Sequence, residues 1–117
     1  MSEAVTLYGI SNCDTIKKTR NWLAQHQVDF NFHDYRKQGL DPALLKHWVE
    51  VLGWETLLNK RGTTWRQLSP EIQSSIDETA AIDIMLDNPA IIKRPLLVKD
   101  AKQYVGFSPE TYAQIFN

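Results

Sequence analysis

Val5-Thr6-Leu7-Tyr8-Gly9-Ile10-Ser11-Asn12-Cys13-Asp14-Thr15-Ile16-Lys17-Lys18 is the stretch that decides the fold. Val5 to Tyr8 is a short β-prone run, and Gly9 ends it. Ile10 to Asp14 follows, with polar residues suited to capping. From Thr15 to His26 the apolar period becomes helical. Ile16, Thr19, Leu23 and Ala24 fall on one face, with Lys17, Lys18 and Arg20 largely elsewhere. Cys13 therefore sits where a strand hands over to a helix. Further along, Asp29-Phe30-Asn31-Phe32-His33-Asp34-Tyr35 alternates like a half-buried strand. The opening reads β-α-β.

The middle of the chain has another pattern. Asp41-Pro42 starts a helix, since Asp caps and Pro fits the first helical position. Leu44, Leu45, Trp48, Val49 and Leu52 form its apolar stripe, and Gly53 stops it. A short helix is expected over Trp54 to Leu58. Asn59-Lys60-Arg61-Gly62-Thr63-Thr64 reads as a polar, basic loop. Ser69-Pro70-Glu71 opens another helix. A further one, Glu78 to Leu86, buries Ala81, Ile82, Met85 and Leu86 and stops before Asn88-Pro89. The end returns to β. Pro95-Leu96-Leu97-Val98 is an apolar strand, 99–102 a turn, and Gln103-Tyr104-Val105-Gly106 the return strand. Ser108-Pro109-Glu110 starts a last helix carrying Tyr112, Ile115 and Phe116. The order is β-α-β, helices, β-β-α. That predicts an α/β chain with a mixed sheet, a thioredoxin-like fold with an all-helical insert. The core is expected at 1–39 and 90–117 and the insert at 40–89, within a single domain spanning 1–117.

Bulk properties narrow the function. The chain has 117 residues, a net charge of -1 and one cysteine. The length favours one domain. The charge gives no global field for nucleic acid or acidic lipid, so direct nucleic-acid or membrane binding is not expected. No apolar run approaches the roughly 20 residues of a bilayer span. The N-terminus has no secretory pattern, and one cysteine forms no internal disulfide, which points to the cytoplasm. His26, His33 and His47 lack metal-ligand spacing, so no metal is expected.

Chemistry concentrates at Cys13. A thiol attacks as its thiolate. At a helix N-terminus, backbone N–H groups and the helix dipole favour that anion. Asn12 and Thr15 add polar contacts, and Lys17, Lys18 and Arg20 add positive charge. Asp14 opposes it. Cys13-Asp14-Thr15-Ile16 lacks the second sulfur of a dithiol motif, so a redox cycle requires an outside thiol such as glutathione. Arg61 and Arg94 each sit at a turn and can hold carboxylates or oxyanions bidentately. Lys60, Lys93 and Arg66 are weaker candidates of the same kind. Trp65 is a candidate pocket wall, whereas Trp22, Trp48 and Trp54 read as packing residues.

The segment from Tyr8 to Lys18 resembles the start of the arsenate reductase (ArsC)-like family, in its Spx/YffB branch. So do Phe32-His33-Asp34-Tyr35-Arg36, the run Asn59 to Arg66, Ile91-Ile92-Lys93-Arg94-Pro95-Leu96-Leu97, and Gly106-Phe107. The resemblance covers nearly the whole chain and is closest to YffB-type proteins. It implies that Cys13 is the nucleophile, that Arg61 and Arg94 are substrate-site arginines, and that Pro95 is a cis proline beside the thiol. It also implies departures. Arsenate reductases of the family carry a histidine where this chain has Gly9, and a third arginine near the position of Gly106-Phe107.

The expected function is a glutathione-dependent thiol-disulfide reductase. Cys13 is catalytic, and Asn12, Thr15, Lys17, Arg61, Arg94 and Pro95 bind substrate or glutathione. Glutathione is a co-substrate, and no cofactor is tightly bound. The other substrate is a small-molecule or protein disulfide, and the chain is expected to be a monomer. One alternative is arsenate reduction. Another, disfavoured, is an Spx-like binding module contacting RNA polymerase, in which Ile16 removes the dithiol switch.

Overall fold

A computed structural model describes residues 5–11 and 13–116. The chain divides into two compact units. One is Met1–Gln38 with Arg94–Asn117, and the other is Gly39–Lys93.

The first unit holds a four-stranded sheet. β1 (Val5–Gly9) alternates buried and half-buried residues, as the period of a strand requires. It leads into α1 (Asp14–Gln25) and then β2 (Asn31–Asp34). β3 (Leu96–Lys99) and β4 (Lys102–Val105) form a hairpin. The strand order is β2-β1-β3-β4. β1 pairs parallel with β2, Leu7 opposite Phe32, and antiparallel with β3, Leu7 opposite Leu97. The sheet is therefore mixed. Asp100 and Ala101 both take left-handed φ values, 53° and 63°. Two such residues suit the tight turn that keeps a hairpin's twist.

α1 buries Ile16, Thr19, Trp22 and Leu23. Trp22 takes the place expected for Ala24, which is exposed. The larger indole removes more apolar surface from water than a methyl group. A core cluster joins Val5, Leu7, Trp22, Leu23, Leu97 and Tyr112. The last helix of the chain (Pro109–Ile115) contributes Tyr112, whose ring meets Trp22 edge-on at 5.6 Å. Ser108 caps that helix, its Oγ accepting from the Thr111 N–H at 3.2 Å. β2 is shorter than its sequence pattern: at Tyr35 the chain turns into α2 (Tyr35–Gln38). Asp34 causes this, because its Oδ1 accepts from the Arg36 N–H two residues on, at 2.8 Å, and starts a turn.

The second unit is helical. It comprises α3 (Pro42–Leu52), α4 (Trp54–Leu57), α5 (Thr63–Arg66), α6 (Pro70–Ser74) and α7 (Glu78–Asp87), then a 3-10 turn at Pro89–Ile91. The helix at Pro109–Ile115 is thus α8. Asp41, Ser69 and Asp77 each cap a helix through a side-chain oxygen. Gly53 ends α3 at φ 87°, a left-handed conformation that favours glycine. Leu45, Trp48, Val49, Leu57, Leu58, Ala81, Met85, Ile91 and Ile92 form its buried set. Thr63 to Arg66, expected to begin as loop, forms the single turn α5. The Gly62 carbonyl accepts from the Arg66 N–H and the Thr63 carbonyl from the Gln67 N–H. Thr has weak helix propensity, so pattern alone does not reveal this turn. Among the described residues, no helix is long and apolar enough to cross a membrane.

Candidate active site

Cys13 is the N-cap of α1, with extended backbone (φ -146°, ψ 127°), and it is half-buried. Its side chain makes no capping hydrogen bond. The thiolate has more partners. Burial pushes the Cys13 thiol up, but several effects together outweigh burial. They are the Ile16 backbone N–H, the Arg94 guanidinium by hydrogen bond and by charge, and the Thr15 backbone N–H. The thiol lies below its ordinary value as a result.

Other expected residues are placed as follows. Asn12 lies outside the described residues. Thr15 acts on the sulfur through its backbone, while its carbonyl accepts the Thr19 hydroxyl at 2.7 Å. The Lys17 N–H donates to the Cys13 carbonyl at 3.0 Å. The Lys17 side chain lines a groove with Arg20, Asn21, Ala24 and Phe30. Arg94, not Lys17, Lys18 or Arg20, supplies the charge that favours the thiolate. The Arg94–Pro95 peptide bond is cis. The Pro95 carbonyl accepts from the Gly106 N–H at 2.9 Å.

Gly9 has a steric role here. A Cβ at this position would collide with the Ile16 side chain and come within 3.9 Å of Arg94 Cδ. The end of β1 and the first turn of α1 are packed too closely for a side chain. Glycine at position 9 and isoleucine at position 16 are thus parts of one packing arrangement.

Residues not singled out individually also shape this site. Asp34 is buried, and its carboxylate accepts the Ser11 N–H at 3.2 Å as well as the Arg36 N–H. Its own N–H donates to Gln38 Oε1 at 3.0 Å. Burial pushes the Asp34 carboxyl up. Hydrogen bonds from Arg36, Ser11 and Lys37 outweigh this and hold it below the ordinary value. Asp34 thereby ties the end of β2 to the loop that carries Cys13. Tyr35 is buried beside it. Its phenol is pushed far up by burial and by Tyr8, against the pull of the Arg94 charge, so it stays neutral. Tyr8, His33 and Tyr35 form an aromatic group with centroids 5.1 to 6.3 Å apart. An acid at a strand end two residues before a turn was the available signal for Asp34.

Arg61 lies in the helical unit. Asn59 organises its loop: Asn59 Oδ1 accepts the Arg61 N–H at 3.0 Å, and the Asn59 N–H donates to the Ile91 carbonyl at 2.8 Å. The Lys93 N–H donates to the Leu57 carbonyl at 2.7 Å, beside an antiparallel bridge between Leu58 and Ile92. Glu55, Leu58, Asn59, Lys60, Arg61 and Lys93 line one pocket of about 360 Å³. The Lys60 ammonium lies 5.6 Å from the Trp54 ring centroid and 5.4 Å from that of Trp65. Trp65 is therefore a neighbour of the pocket's lysine, not one of its lining residues. Arg66 is exposed on α5.

The model of the ArsC family matches residues 8–115. The chain belongs to the ArsC family. An uncharacterized protein of Haemophilus influenzae is 44% identical to this ArsC-family chain, covering 96% of it and 98% of the relative. The solved structure of the YFFB protein is 45% identical, with a TM-score of 0.90 over 95% of this chain and 97% of the other. An arsenate reductase (ArsC) related protein from Brucella melitensis is 46% identical. Its TM-score is 0.83, over 100% and 98% of the two chains. More distant relatives of the chain include regulators. The global transcriptional regulator Spx of Streptococcus pyogenes serotype M6 is 25% identical over 91% of this chain and 80% of its own. The fold is thioredoxin-like, and a glutaredoxin from Archaeoglobus fulgidus shares it at a TM-score of 0.50.

Proposed function

We propose that this ArsC-family chain is a glutathione-dependent thiol-disulfide reductase working through a single sulfur. The observation that carries this reading is Cys13 itself. Its thiolate is favoured by two backbone N–H groups and Arg94, and the chain contains no other cysteine. With a mixed disulfide of glutathione as substrate, the Cys13 thiolate attacks the glutathione sulfur. The Cys13–glutathione bond forms as the substrate S–S bond breaks, and the substrate thiolate leaves and takes a proton from water. A second glutathione thiolate then attacks the bound glutathione sulfur. Glutathione disulfide departs and Cys13 returns as thiolate. In sum, one mixed disulfide and one glutathione give one thiol and one glutathione disulfide. In this reading Arg94 holds a carboxylate of the tripeptide beside Cys13, and Asn12, Thr15, Lys17, Arg61 and Pro95 are proposed as further binding residues. The test is a glutathione-coupled assay with a small mixed disulfide. Turnover that disappears in Cys13→Ser supports the reading, and turnover unchanged by that substitution would overturn it.

A second reading is arsenate reduction, favoured by the name of the Brucella relative. Gly9 and Phe107 stand where the family's arsenate reductases carry a histidine and a third arginine, and they weigh against it. Arsenate-dependent oxidation of glutathione, silent in Cys13→Ser, would support this reading. The Spx relative favours a binding role only insofar as a partner is captured equally by wild type and Cys13→Ser.

A further inference from the structure

α1 has a second face besides its buried one. Cys13, Lys17, Arg20, Asn21 and Ala24 follow one another at helical spacing, so they form a stripe that begins at the reactive sulfur. Ile16, Thr19, Trp22 and Leu23 occupy the face turned to the core. Lys17, Arg20, Asn21 and Ala24 are exposed, and with half-buried Phe30 they line a groove next to the start of β2. Cys13 and this groove belong to the same compact unit. The Arg20 guanidinium is held 4.7 Å from the Phe32 ring centroid, on the β2 side. Neither Lys17 nor Arg20 forms an ion pair with a carboxylate among the described residues.

This lining suits a short acidic segment of polypeptide. The cations meet a carboxylate, the Asn21 amide can donate to and accept from a peptide group, and Ala24 and Phe30 pack against aliphatic stems. Nucleic acid fits less well, because two cations are few and the chain's net charge is -1. The rise of α1 sets the register. At about 1.5 Å per residue, Lys17 and Arg20 stand roughly 6 and 10 Å from Cys13 along the helix axis. An extended peptide covers about 3.4 Å per residue, so the carboxylate falls about two or three residues from the attacked disulfide.

We propose that this groove selects protein substrates of the reductase, taking those whose disulfide cysteine lies two or three residues from an aspartate or glutamate. The proposal rests on the reductase reading and deepens it by naming the substrate class, a protein thiol joined to glutathione within an acidic segment. The chemistry is unchanged. The Cys13 thiolate takes the glutathione sulfur, and the protein cysteine leaves as thiolate and takes a proton from water. Lys17 and Arg20 act on binding.

The experiment compares two glutathionylated peptides of one sequence in the glutathione-coupled assay. One has glutamate three residues to either side of its cysteine, and the other has glutamine at both places. The glutamate peptide should show a kcat/KM roughly three- to fivefold higher at low salt, carried by KM. The ratio should fall towards one at high salt. Arg20→Gln should bring it close to one. Lys18→Gln removes the same charge from outside the stripe and should preserve it. Equal kcat/KM for the two peptides, or equal loss of the ratio in both variants, overturns the proposal. The same peptides with serine for cysteine, titrated into the full chain by NMR, separate this proposal from the reductase reading. The glutamate peptide should shift the amides of 17–24 and 30 more strongly than its counterpart. Turnover without discrimination ends the groove proposal and leaves the reductase reading standing. Discrimination in the titration without turnover ends the reductase reading and leaves a site for acidic segments. A single-stranded oligonucleotide, or glutathione alone, that shifts those amides at lower concentration reassigns the groove and overturns the peptide proposal.

Discussion

At Cys13, opposing effects meet on one sulfur. Burial disfavours the thiolate, while the Ile16 and Thr15 N–H groups and Arg94 favour it more strongly. Because the folded value lies below the unfolded one, ionised Cys13 adds stability above the ordinary thiol range. That contribution is lost as pH falls through the lowered value. Arg94→Ala should therefore raise the midpoint of a plot of alkylation rate against pH. It should also slow alkylation severalfold at neutral pH. Asp34 has the same sign in a lower window. Its carboxylate stabilises the fold above the ordinary carboxylate range, ~3.9, and the effect fades as pH drops through the depressed folded value. Asp34→Asn should destabilise by roughly 1–2 kcal/mol at neutral pH. The gap from wild type should narrow in acid, as denaturant unfolding at several pH values will reveal. Cys13 and Arg94 were legible from chain position, since a turn beside a strand is where reactive groups are held. The turn at Asp34 has a local signal, but its tie to the Cys13 loop does not, because its partner Ser11 is 23 residues away.

At the scale of elements, the site depends on how closely β1 and α1 approach. Gly9 sits against Ile16, so Gly9→Ala must displace that side chain. A loss of about 1–3 kcal/mol is expected from this overpacking, read as a lowered denaturant midpoint with unchanged slope. The same contact explains why a histidine at position 9 does not suit this chain. Most elements could be read beforehand because cap and stop residues mark them. Asp41-Pro42, Ser69-Pro70 and Ser108-Pro109 each open a helix as expected. The exceptions have local causes. β2 ends early because Asp34 turns the chain, and α5 forms in a Thr-rich turn of low propensity.

Across the whole molecule, the sheet order β2-β1-β3-β4 is what places Cys13 and Arg94 together. Each lies just beyond one end of a central strand, Cys13 after β1 and Arg94 before β3. The antiparallel register, Tyr8 opposite Leu96, brings those ends side by side. Element order implied such a sheet, but register and side-chain partners depend on tertiary packing. The Tyr112 hydroxyl is buried without a hydrogen-bond partner among the described residues. Tyr112→Phe should leave stability unchanged or raise it by up to about 1 kcal/mol, measured by denaturant unfolding. The central claim is that Cys13 completes a cycle with an external thiol. Its most direct test is the mass of the intact chain after glutathione disulfide is added, and again after excess glutathione. One glutathione adduct on Cys13, removed in the second step, is the predicted result. A chain that stays unmodified while its Cys13 remains open to alkylation would contradict the account.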